Sequence, residues 1–334
     1  MKVNREELLQ CLDSVTPGIS PREVIEQSSC FVFKSKIVQT FNEEISCSKE
    51  SPVKLKGAVQ AAPLLSILKK LDEEFIDLEI EGGELIVKGK GRRSGIRMEH
   101  EIVLPVDNVD TPKKWKDLNE DFAEGVHIAA QCAGKDDSQF SLTCVNIHPE
   151  WVEACDNYQM TRYPVKTGVK KPTLVRRNSL KHITNLGMTE FSETENWLHF
   201  RNPAGLVLSC RRYVEDFPDL ANLLEVKGDK ITLPKGLEAA ADKAEVFSSE
   251  SMDNNQLHID LKPGKLKVRG EGNSGWYTEN KKTNYKGKNI SFTIAPKMLQ
   301  EIVKRYNDAV ITEGRLMVDG GKFTYVTCLG AVSE

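Results

Sequence analysis

Apolar and polar residues alternate on either side of a glycine pair in Ile76, Leu78, Ile80, Gly82, Gly83, Leu85 and Val87, a spacing that predicts two strands joined by a tight turn. The same layout returns in the last third of the chain as Val310, Gly314, Leu316, Val318, Gly320 and Gly321, followed by Phe323 and Tyr325. A looser version occupies the middle: Trp197, Phe200, Asn202, Pro203, Gly205, Leu206 and Leu208. Ahead of each stands a short segment with apolar residues three apart, Leu65 with Leu68, Leu180 with Ile183 and Leu299 with Ile302, which puts each pair on one helical face. Pro63 and Pro296 stand just before two of these segments, where a missing N–H is tolerated. A second helical stripe opens each third: Leu8, Leu12 and Val15, then Phe122, Val126 and Ala129, then Leu237, Ala241 and Ala244, every set at i, i+4, i+7. Both helix types recur with a period of about 115 residues, too long for a solenoid and long enough for a domain with its own core.

The pattern predicts an α+β protein made of three copies of one domain, each with two helices packed on antiparallel sheets, over residues 1–115, 116–228 and 229–334. Polar, breaker-rich stretches from Pro105 to Asn119 and from Tyr213 to Leu233 mark the joints. At 334 residues, with 39% hydrophobic and 28% charged positions, the chain can bury several cores. It has no apolar run long enough to span a membrane, and its first residues lack a signal-peptide core, so a cytoplasmic location is expected. Its eight cysteines stand without close pairs and read as reduced, buried small hydrophobes.

A formal charge of −3 argues against a strongly basic nucleic-acid binder, but its local distribution changes that picture. The second-type helix is basic in all three copies: Lys69 and Lys70; Arg176, Arg177 and Lys181; Lys297, Lys304 and Arg305. The opening helices are acidic instead, with Glu6, Glu7, Glu120, Asp121, Glu124, Glu238 and Asp242 in or near them. A solvated face explains one basic cluster; three aligned clusters point to phosphates. Motifs of enzymatic chemistry are absent: no phosphate-binding glycine loop before a helix, no HExxH, no CxxC, no GxSxG, and six histidines without ligand spacing. No catalytic residue, metal or cofactor is therefore expected. A hydrolase built on Asp136, Asp156 and His148 stays open as an alternative, as does a three-domain interaction scaffold.

Phe217-Pro218-Asp219-Leu220 followed by Leu223-Leu224, Asp156-Asn157-Tyr158-Gln159-Met160, and the tail Tyr325-Val326-Thr327-Cys328 resemble short segments of the bacterial DNA polymerase sliding clamp, the ring-shaped processivity factor. The second segment stands where that family commonly has Asp-Gly-His-Arg-Leu, and the tail departs from the family's Tyr-Val-Val-Met, as in a divergent member. The resemblance covers nearly the whole chain. It implies a non-enzymatic, head-to-tail homodimer of six domains around duplex DNA, which tethers DNA polymerase and clamp loader through their short linear motifs. The DNA-facing residues expected are Arg22, in the loop after the first helix, together with Lys69, Lys70, Arg176, Arg177, Lys181, Lys297, Lys304 and Arg305. Carried over by position, the partner-peptide pocket would be lined by Leu142, Met160, Pro218, Leu223, Val326 and Cys328. The dimer contact would set Ile96 and Met98 against Val246 and Phe247.

Overall fold

The structure, a computed structural model, describes residues 1–250 and 255–331, with the side chain of Arg305 also outside the described set. Its helices are α1 (Arg5–Ser14), α2 (Ala61–Lys70), α3 (Phe122–Cys132), α4 (Arg177–Leu180), α5 (His182–Asn185), α6 (Ala221–Leu224), α7 (Leu237–Ser248) and α8 (Pro296–Arg305). None of them is long and apolar enough to cross a membrane. The strands between them pair antiparallel, and the fold is α+β.

Two compact units share the chain. The first comprises residues 1–130, 144–150 and 165–215. Its large sheet runs from Lys2–Asn4 through Phe75–Glu81, Glu84–Gly89, Arg92–Glu99, the long strand Ile45–Gln60, Val207–Arg211, Trp197–Arg201 and Glu190–Glu193 to Lys116–Asp117, with Cys30–Phe41 also pairing on Ile45–Gln60. The expected hairpin is present: Gly82 (φ 57°) and Gly83 (φ 83°) both take the left-handed conformation that a two-residue turn of this hand requires. Asn4 starts α1 by accepting a 3.0 Å hydrogen bond from the Glu7 N–H, and Leu8, Leu12 and Val15 are buried as their spacing predicts.

The second unit comprises residues 131–143, 151–164 and 216–334. One of its sheets has the order Gly275–Lys282, Lys265–Gly272, Leu257–Lys262, Ile290–Ile294, Gly330–Ala331. α7 lies so close on this sheet that a Cβ at Gly270 would fall 1.9 Å from the Ala244 carbonyl oxygen, which is why glycine stands there. The other sheet places Trp151–Cys155, Gln159–Pro164, Thr324–Cys328, Arg315–Asp319, Asp308–Ile311 and Asp229–Thr232 side by side. Leu237, Ala241 and Ala244 of α7 and Leu299 and Ile302 of α8 meet in one apolar core, as the stripes predict.

Local details differ from the sequence reading. In α2 the buried row is Ala61, Leu64 and Leu68, and Leu65 is only half-buried. Pro63 lies inside the first turn of that helix rather than before it. The middle second-type helix is two four-residue pieces, α4 and α5, although Leu180 and Ile183 are buried as expected. The joint from Tyr213 to Leu233 contains α6 and the strand Asp229–Thr232, and it buries Leu220 and Leu224. Seven of the eight cysteines are buried thiols, and Cys328 is exposed.

Candidate nucleic-acid interface and partner pocket

Each second-type helix buries its apolar row and has exposed lysines on it or at its break. Lys69 and Lys70 end α2, where a positive charge also suits the helix dipole, and both are exposed. Lys69 Nζ lies 3.0 Å from Asp13 Oδ1 of α1, an exposed pair of little energetic weight that leaves the ammonium accessible to a competing anion. Lys297 and Lys304 sit seven residues apart on α8, exposed on the side away from Leu299 and Ile302, and make no ion pair among the described residues. Lys181 is exposed between α4 and α5. Arg176 and Arg177 are half-buried, and Arg176 Nε is held 3.1 Å from Glu44 Oε1, so Arg176 is less available than the exposed Lys181. Arg22 is exposed in the loop after α1, and the side chain of Arg305 lies outside the described residues.

The loop that carries Arg22 is fastened by one buried side chain. Gln27 is 2% exposed and holds a left-handed backbone (φ 65°). Its Nε2 donates to Glu99 Oε2 and to the Glu101 carbonyl, both at 2.8 Å. Its Oε1 accepts from the N–H groups of Val103 (3.0 Å) and Leu104 (3.3 Å). Sequence reasoning missed Gln27, because a polar residue in a loop carries no local sign of burial.

Four of the six expected pocket residues meet in one apolar cluster of the second unit. Met160 and Val326 are buried in it, with Leu142 and Leu223 half-buried against it. Cys155, Leu220 and Leu224 complete its buried part, and Phe217, Val226 and Met317 pack on it. Pro218 and Cys328 remain exposed outside it. The spacing of Leu220 and Leu224, four apart on a short helix, is the signal that would have found them.

The surrounding backbone is locked. Asp156 Oδ1 accepts from the N–H groups of Tyr158 (2.7 Å) and Gln159 (2.8 Å), and the Tyr158 carbonyl accepts from the Cys328 N–H at 2.7 Å. The Tyr325 hydroxyl donates to Gln159 Oε1 at 3.0 Å. These bonds give Asp156 a turn-forming role. Asp136 likewise caps its own turn, accepting from the Ser138 N–H at 2.9 Å, and that bond holds its carboxyl below the usual range. His148 Nδ1 accepts from the Glu150 N–H at 3.2 Å. The hydrolase alternative thus finds each of its three groups employed in local backbone geometry. Among the described residues no group of three or more His, Cys, Asp or Glu side chains could hold a metal ion.

The expected dimer contact needs correction on one side. Ile96 (5% exposed) and Met98 (4%) turn into their own unit, opposite Leu85 and Val59, so their side chains are core. What their strand offers outward is backbone: Arg92–Glu99 pairs along one side with Glu84–Gly89, and along the other only Met98 and Glu99 are paired among the described residues. In the second unit Val246 is 64% exposed, Phe247 is half-buried, and Trp276 is 60% exposed on Gly275–Lys282, the edge strand of its sheet.

These elements build the fold of the DNA sliding clamps. The chain is similar over 99% of its length, and 99% of theirs, to the DNA polymerase III beta chain of Streptococcus pneumoniae (TM-score 0.85, 15% identity), the DNA polymerase sliding clamp of Bacillus subtilis (0.84, 13%) and the sliding clamp of Pseudomonas aeruginosa bound to griselimycin (0.82, 15%). No family model and no curated protein matches the sequence. The shared fold therefore persists at an identity too low for sequence comparison to register.

Proposed function

We propose that this chain is a DNA sliding clamp: a non-enzymatic processivity factor of three domains, near 1–115, 116–228 and 229–334, that closes around duplex DNA as a head-to-tail homodimer. The observation that carries the reading is the agreement of nearly the whole chain with clamp structures, joined to exposed lysines on each second-type helix. A tether for polymerases must hold any sequence and still move, so it should meet phosphates through weak, exposed cations and read no bases. Lys69, Lys70, Lys181, Lys297 and Lys304 suit that task, with Arg22, Arg176, Arg177 and Arg305 as further members. The cluster around Met160, Leu223 and Val326 is proposed to take the apolar anchors of a flexible partner motif from polymerase or clamp loader.

For the dimer, the open edge of Arg92–Arg97 in one copy is proposed to pair with the open edge of Gly275–Lys282 in the next, with Val246, Phe247 and Trp276 beside the junction. The test is topological. Protein loaded on closed circular DNA should be retained and should leave once the circle is cut, and sedimentation should report a dimer. Equal loss from circular and linear DNA, or a monomer at every concentration, would refute encirclement and favour the scaffold alternative.

A further inference from the structure

The five-stranded sheet of the second unit has one face covered by α7 and another that is open. Leu261, Leu266 and Val268 are buried on the covered side, so the residues alternating with them lie on the other. There the turn at Pro263 and Gly264 sets Lys262 directly opposite Lys265, and Lys265 is in turn opposite Lys282 of the adjoining strand. One rung thus carries three lysines on three adjacent strands. All three are exposed, as are Lys286 and Lys288 just beyond, and none of the five forms an ion pair among the described residues. The rungs further along are neutralised: Lys267 lies 3.5 Å from Asp260, and Arg269 lies 2.8 Å from Glu271.

The geometry is fixed rather than loose. The Gly264 N–H donates to the Tyr285 carbonyl (3.0 Å), and the Thr283 N–H donates to the Gly264 carbonyl (3.2 Å). The hydroxyl of buried Tyr285 donates to the Lys288 carbonyl at 2.7 Å. Adjacent strands are about 4.8 Å apart, so the three lysines of the rung are rooted within about 10 Å. Like charges directly opposite one another destabilise a sheet, and an anion laid across the rung removes that repulsion.

We propose that this rung, with Lys286 and Lys288, is a second nucleic-acid contact that holds the phosphate backbone of duplex DNA. It goes beyond the clamp proposal, which puts DNA at the second-type helices, because it lies on the sheet face opposite α7. Lysines are point charges without a fork, suited to phosphates in any register and unsuited to reading bases. The rung itself carries no aromatic side chain, and the exposed Trp276 of the same face stands at the far end of its strand against the Arg269 guanidinium. Unpaired bases thus find no platform beside the three lysines, which favours a duplex over a single strand.

The test uses the full chain with Lys262→Gln, Lys265→Gln and Lys282→Gln combined, and follows its affinity for a short linear duplex against salt. Each lost phosphate contact flattens the slope of log K against log salt by about 0.9, so the variant should be shallower by about 2 to 3. Its thermal stability should equal or exceed that of the parent, since repulsion has been removed. Lys286→Gln with Lys288→Gln, in the exposed loop, should flatten the slope in the same sense and does not disturb the strands. An unchanged slope in both variants overturns the proposal. So does an unchanged slope with lost binding of poly-glutamate, which would assign the face to an acidic protein segment. Lys297→Gln with Lys304→Gln, read by retention on circular DNA, tests the clamp proposal separately, so either can fail alone.

Discussion

Replacing Gln27 by alanine should loosen the loop that carries Arg22 without touching any residue expected to meet DNA. The substitution removes all four side-chain hydrogen bonds and leaves the Val103 and Leu104 N–H groups and the Glu101 carbonyl without their partner. A buried polar group left unsatisfied costs about 1–3 kcal/mol, and water can reach part of this set, so a net loss of about 3 kcal/mol is expected. Glycine removes the same bonds but accepts φ 65° without strain, and should recover about 1 kcal/mol of that loss. Amide hydrogen exchange reads the effect locally: protection at Val103 and Leu104 should fall by about a hundredfold in the alanine variant and less in the glycine variant. The denaturant midpoint of the unit should fall in the same order. Native protection at both amides in the alanine variant, or glycine proving worse than alanine, would refute this account of the loop.

Three further outcomes follow from the geometry. Burial pushes the His199 ring down to about 4, between Thr194 Oγ1 (2.9 Å from Nε2) and Ser209 Oγ (2.8 Å from Nδ1). The unfolded chain therefore binds the extra proton first, and stability should fall from pH 6.5 toward 4 by up to about 3 kcal/mol; a parallel pH series on His199→Asn should lose this dependence. Leu223→Ala, at a half-buried position, should weaken binding of a partner-motif peptide by about 1–2 kcal/mol in a titration while the dimer persists; a lost dimer would mean that core has been confused with pocket. Met160→Ala, at a buried position, should instead lower stability by about 2–5 kcal/mol, visible as an earlier thermal transition.

Sequence periodicity identified the elements better than it identified which faces they bury. The glycine pair at Gly82 and Gly83 and the three opening stripes needed only local geometry, and they are present as read. In α2, Leu64, Leu65, Ile67 and Leu68 are all apolar, so tertiary packing alone decided that Leu64 and Leu68 would be the buried pair. Ile96 and Met98 carry the alternation of a half-buried strand, which is the same whether the apolar side meets the chain's own core or another molecule. The apolar cluster around Met160 and Val326 is partly legible in the sequence, but Leu220 and Leu224 fall in a stretch that reads as a joint, because a one-turn helix leaves almost no periodic trace. Gln27 and the lysine rung depend on contacts across many residues, and composition cannot report those.

An unfinished ladder in each unit has a consequence for assembly. Arg92–Arg97 and Gly275–Lys282 each offer hydrogen-bonding groups along a side that no described strand occupies, so under the proposed pairing every copy has a valence of two. Unlike edges joined in series either return to their start or continue as a filament, and the turn per added copy decides between the two. A substitution that changes that turn by a few degrees would therefore convert a closed particle into a polymer without weakening a single contact.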